Sequence, residues 1–174
     1  DPDLVRVCVS PEQIARIGLS LPELPEARRK RYQEVYALNE SDAFAITSSR
    51  ALAGIFDSVV DDLMGAPKAP LAQPVMAQTA AKLSVNWLTV EIARLENEAQ
   101  CEILESRLSA RLLADVIRWT EADQLSSTGA KQVVAALWIE GGEVAPTVER
   151  LGLRQVSDPS ALEPVVREVL QAHP

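Results

Sequence analysis

Between Ser49 and Gly65 the chain places apolar residues at Leu52, Ile55, Phe56, Val59, Val60 and Leu63. The intervals are three and four. Residues so spaced share one side of an α-helix but would scatter over both faces of a strand. The pattern recurs along the chain. Leu83, Trp87 and Val90, with Leu88, Ile92 and Leu95, cover a wide helical face. Leu112, Leu113, Val116 and Ile117 make another stripe, and Val133, Val134, Leu137 and Trp138 repeat it. A last stripe runs through Leu162, Val165, Val166, Val169 and Leu170. Each stripe needs a partner surface, so the helices must pack on one another. After the alternating Val5, Val7 and Val9, no segment has strand periodicity. The chain reads as all-α.

Helix boundaries are written in caps and prolines. Ser10-Pro11-Glu12-Gln13 is a capping box with proline at the first helical position. Pro22 and Pro25 forbid a continuous helix through the next stretch, and Pro25 can start one reaching about Ala37. Asn39 caps a short helix into Thr47, and Ser48 or Ser49 caps the next, which Gly65 ends. Pro74 is expected to open a long helix to about Ala99, the central helix of a bundle. Residues 100–108 are the best internal boundary. Helices are expected beyond it from Ser109 to Glu121, from Ser127 to Glu140, near Ala145 to Leu151, and at the C-terminal end, where Ser157 or Asp158 caps and Pro159 follows.

Of the 174 residues, 47% are apolar, enough for a packed core. The formal charge of −8 opposes indiscriminate binding to nucleic acid or anionic lipid, but does not exclude a local basic patch. Cys8 and Cys101 form no CxxC pair, which favours a reduced, cytoplasmic protein. No apolar run approaches the roughly 20 residues of a membrane span. The start at Asp1 without Met points to a piece of a longer chain or a processed one.

Catalytic chemistry is sparse. The single histidine is His173, so neither a His-based triad nor a His-centred metal cluster is available. There is no phosphate-loop glycine pattern. Asp61-Asp62 and Glu96/Glu98 suit solvated helix faces better than acid–base pairs. No catalytic residue and no metal ligand is expected. Two stretches suggest binding. Arg28-Arg29-Lys30-Arg31 is a contact for RNA or an acidic partner, or simply a solvated helix balanced by Glu26 and Glu34. Ser126 to Lys131 opens a helix whose free N–H groups could meet a phosphate, or is an ordinary capped start.

Several phrases, in order, resemble GatB, the B subunit of the aspartyl/glutamyl-tRNA amidotransferases, over nearly the whole chain. Asp1-Pro2-Asp3-Leu4 is similar to the exit from that family's catalytic cradle. Leu21-Pro22-Glu23-Leu24-Pro25, with Ala27-Arg28-Arg29 and Arg31-Tyr32, resembles the phrase opening its helical domain. Tyr36 to Ala43, Asn86-Trp87-Leu88 and Gly152 to Asp158 resemble three further phrases. The resemblance implies two small helical bundles in tandem. Residues 1–20 are then a linker from the missing cradle, 21–105 the helical domain and 106–174 a truncated YqeY-like tail. The chain's end at Ala172-His173-Pro174 resembles a point from which the family's tail continues, so the last helix is expected to lack part of its packing surface.

The resemblance also implies function. The parent enzyme makes Asn-tRNA(Asn) or Gln-tRNA(Gln) by ATP-dependent transamidation with glutamine, together with the amidase (GatA) and a small third component (GatC). ATP and Mg belong to the absent cradle, and these residues would hold tRNA(Asn) or tRNA(Gln) without catalysing anything or binding a cofactor. Residues 109–174 carry six Lys/Arg against nine Asp/Glu, so any RNA face is a local patch. Lys82, Arg111, Arg118, Lys131 and Arg154 are the candidates. The family's tail commonly has lysine where Thr128 stands and glycine where Ser127 stands, which puts a phosphate contact at 128 in doubt and favours Lys131. The competing reading is a noncatalytic helical module that docks on another protein of the complex.

Overall fold

The computed structural model describes residues 9–66, 68–71 and 73–155. The expected alternation at Val5 and Val7, Cys8, the C-terminal helix and His173 lie outside them. Among the described residues there are nine α-helices and no strand: α1 (Pro11–Ser20), α2 (Pro25–Tyr36), α3 (Glu40–Ile46), α4 (Arg50–Met64), α5 (Ala77–Asn86), α6 (Ala93–Ala99), α7 (Ala110–Glu121), α8 (Ser127–Glu140) and α9 (Val144–Leu151). The all-α expectation holds. None of these helices is long and apolar enough to cross a membrane.

The caps fall where the polar residues put them. The Ser10 and Gln13 capping box is formed reciprocally. Asn39, Ser49, Ser109 and Ser126 each accept a backbone N–H from the first turn of α3, α4, α7 and α8. Gly65 ends α4, but through extended backbone (φ −66°, ψ −164°) rather than a left-handed turn. Glycine suits the position because a Cβ would meet the Asp61 and Asp62 carbonyl oxygens at 3.2 and 3.3 Å.

The long helix differs most from expectation. It starts at Ala77 rather than Pro74, because the Val75 N–H donates to Leu63 O (3.0 Å) and ties the preceding segment to the end of α4. Its middle, Trp87–Ile92, is a π-helical stretch between α5 and α6. The central helix is instead α4, which buries Ala53, Ile55, Phe56, Val59, Val60 and Leu63 between α5 and α7. On the long helix only one stripe is buried: Ala81, Val85, Leu88, Ile92 and Leu95. Val90 is 62% exposed, and Leu83 and Trp87 are half-buried.

The α-helical path is interrupted between α6 and α7, at residues 100–109. Gln100 is left-handed (φ 51°) and a 3-10 turn spans Ile103–Glu105. The apolar core nevertheless runs through it. Buried side chains form one cluster from Tyr32, Tyr36 and Phe56, through Leu63, Leu88 and Ile92, to Leu113, Ile117, Leu137 and Val148. Tyr32 stacks at a tilt on Phe56 (4.7 Å between centroids). The two halves share this core through α4 and α7.

Candidate functional site

The four-cation run on α2 is largely committed within the fold. Glu23, in the proline-punctuated linker, accepts from Arg31 (2.9 Å) and Arg28 (3.1 Å). Arg31 also reaches Asp57 of α4 (3.3 Å) and covers the Tyr32 ring. Arg29 lies over Phe44, 4.9 Å from the ring centroid, and Lys30 pairs with Glu34 one turn away. The Arg31 hydrogen bond, opposed by burial and joined by Arg28, lowers the Glu23 carboxyl to about 2. These cations therefore pin the linker and α2 to α4, and Lys30 is the most exposed of them.

The five tail and long-helix candidates separate into three groups. Arg118 is 2% exposed, so it does not offer the surface contact expected of it. Its guanidinium pairs with Asp115 (2.7 Å) and Asp62 (3.4 Å) and donates to the Asp62 carbonyl. Arg111 is exposed and stands apart, 3.9 Å from Asp115 beside a cavity with Lys68 and Trp119. Lys82, Lys131 and Arg154 are exposed, the latter two near the start of α8. Lys131 is in its second turn. Arg154 forms an isolated antiparallel bridge with Leu125, just before its cap. Lys82 lies one turn before Asn86 on α5.

A groove opens at this place. Leu83, Asn86, Trp87 and Val90 line one side, Thr120, Glu121, Ser127 and Lys131 the other, and Glu91 its base. The cavity is about 330 Å³, within the range of small-ligand sites. The groove borders the π-helical stretch Trp87–Ile92. Leu83, Trp87 and Val90 stand off the buried stripe of Ala81, Val85, Leu88, Ile92 and Leu95 and line it. Glu91 is 4% exposed and pairs with Arg94 and, across the groove, with Lys131 (3.3 Å). Burial pushes its carboxyl upward, but the two cations outweigh that and leave it lowered. Ser126 Oγ accepts the Gly129 N–H (3.0 Å), so the α8 start is capped as well as accessible.

Of the residues that line the groove, sequence reasoning names Lys131 and misses Trp87 and Glu91. Leu83, Trp87 and Val90 read as core, and only the polar interruption by Glu91 could signal a surface. Of the paired carboxylates of the sequence, Asp62, Glu96 and Glu98 have structural partners. Asp62 holds Lys68 and Arg118, Glu96 accepts the Ile103 N–H (2.9 Å), and Glu98 holds Arg94. Among the described residues no group of His, Cys, Asp and Glu is placed to hold a metal ion.

Fold and groove together define a helical module with an open groove on its surface. The model of the GatB domain family matches residues 71–174, and the chain belongs to that family. Its relatives are B subunits of aspartyl/glutamyl-tRNA(Asn/Gln) amidotransferases. The chain is 38% identical to the one from Trichlorobacter lovleyi, over 99% of this chain and 33% of that protein. It is 38% identical to that of Chromobacterium violaceum, over 100% and 34%. The Geobacillus thermodenitrificans protein is 37% identical, over 100% and 33%. The chain thus spans about a third of the length of the curated relatives it matches.

Proposed function

We propose that these residues are the tRNA-holding, noncatalytic part of a GatB protein. The parent enzyme converts Asp-tRNA(Asn) or Glu-tRNA(Gln) to the amidated form, using ATP, Mg and glutamine with the amidase GatA and the small GatC. This part supplies grip and register on the tRNA, while the chemistry lies elsewhere in the parent. The observation that carries the reading is the alignment of GatB relatives across essentially the whole chain, at up to 38% identity. The exposure of Lys82, Lys131 and Arg154 supports it, because an acidic chain needs local cations to meet RNA.

The test is binding to in vitro transcribed tRNA(Asn) and tRNA(Gln), against a non-cognate tRNA, at two salt concentrations. Three cations meeting phosphates give a slope of log K against log salt of about −2 to −3. The expected result is weak, salt-dependent binding that prefers a cognate tRNA. Absence of tRNA binding at low salt overturns the reading. A second reading, docking on another protein of the complex, is favoured by Val35 (53% exposed) and Phe44 (59% exposed) on the packed pair α2 and α3.

A further inference from the structure

We propose that the groove between the π-helical stretch and the start of α8 takes one unstacked nucleobase of a bound RNA. The inference rests on the tRNA-holding reading and adds to it a base-binding subsite. Three observations carry it.

The first is shape. The cavity of about 330 Å³ is lined by the apolar Leu83, Trp87 and Val90 and by the polar Asn86, Thr120, Glu121, Ser127 and Lys131. An indole beside apolar side chains, with hydrogen-bonding groups at the rim, suits a flat heterocycle that stacks and is read at its edge.

The second is charge. Glu91 and Glu121 line the groove against Lys131, while Arg94 holds Glu91 from behind. A phosphate would meet two carboxylates at close range. A neutral base would not, and its exocyclic amino group could donate to Glu121. The backbone phosphate that accompanies the base would meet Lys82, one turn before Asn86 on α5, which has no ion pair among the described residues.

The third is the cost of keeping the groove open. Val90 is 62% exposed beside a half-buried tryptophan, and the π-helical stretch that carries both gives up regular α-helical bonding. Such stretches are frequent at functional sites. Lys131 can also leave Glu91 without stranding a buried charge, because Arg94 remains paired to it.

The experiment compares tRNA affinity of the full chain with that of Trp87→Leu, Trp87→Phe and Asn86→Ala, with thermal melts of each. Leucine keeps the apolar volume and removes the stacking face, so Trp87→Leu should weaken binding about tenfold while Trp87→Phe stays close to the parent. Asn86→Ala, on an exposed rim position, tests the groove even if Trp87→Leu fails to fold, and should weaken binding about threefold. Undiminished affinity in Trp87→Leu or Asn86→Ala overturns the base site and leaves the tRNA reading intact. Loss of binding to the amidase with tRNA affinity unchanged also overturns it, and makes the groove a protein contact. If the unaltered chain does not bind tRNA at low salt, the functional reading falls and the base site with it.

Discussion

Arg118 of α7 pairs with the carboxylate of Asp62 at 3.4 Å and also donates to the Asp62 main-chain carbonyl in the last turn of α4. One guanidinium thus meets a helix C-terminal carbonyl, which also accepts the Gly65 N–H, and the carboxylate of the same residue, across the junction of the two halves. Asp115 holds its other side (2.7 Å). The geometry turns a residue that looks like a surface cation into a strut of the core. Replacing Arg118 by Met leaves Asp115 short of its partner and Asp62 with Lys68 alone. Chemical denaturation should show a loss of about 3 kcal/mol, the low end for a broken buried pair because both acids keep some solvent. An unchanged midpoint would show that the strut carries no stability.

The Glu23 hub sets a pH dependence. Its carboxyl lies near 2 in the fold, against an ordinary 4.5. A depressed acid stabilises fully above its unfolded value, and that stability drains as pH falls through its folded value. Stability should therefore decline from about pH 4.5 toward pH 2 by an amount that Glu23→Gln removes. Denaturation curves of both proteins through that window check it. The variant should be less stable near neutrality and show a shallower acid slope, and parallel slopes would exclude Glu23 as the source.

How much of this was legible in the sequence depends on what each residue does. Helix identity was legible because Ser10, Asn39, Ser49 and Ser109 act within one turn, and spacing alone reports that. The shared core was less so. Leu113 and Ile117 show only that they face something apolar, and the choice of α4 as that partner depends on the whole packing. Arg118 and Lys131 are indistinguishable as letters, yet one is buried against Asp62 and the other rims a groove. The π-helical stretch was hidden for the same reason. The apolar spacing from Leu83 to Leu95 fits a regular helix, and nothing in it marks the wider turn at Trp87–Ile92.

Lys131 and Arg94 share the buried Glu91, and sharing makes their contributions non-additive. Removing either cation leaves the carboxylate one partner, so Lys131→Met alone should cost less than about 1 kcal/mol. Removing both strands Glu91, and the double variant should lose clearly more than the two single losses combined. A double-mutant cycle by denaturation measures the excess. Simple additivity would mean that Glu91 takes up water or a proton at little cost once its partners are gone.

Two glycines should respond in opposite directions to the same substitution. Gly141 closes α8 at φ +70°, ψ −152°, and a Cβ there would lie 3.2 Å from the Arg107 Cβ. That conformation belongs essentially to glycine, so Gly141→Ala should cost about 1–3 kcal/mol. Gly54 sits inside α4, and a Cβ added there meets nothing within 4 Å. Gly54→Ala gains helix propensity and narrows the unfolded ensemble, so it should stabilise by about 0.5–1 kcal/mol. Thermal melts of the two variants, read against the parent, should shift to opposite sides of it. A fall for Gly54→Ala would mean that the face of α4 lined by Ala51, Gly54 and Ser58 needs its small residues for a close neighbour, such as another part of a longer chain or another protein of the complex.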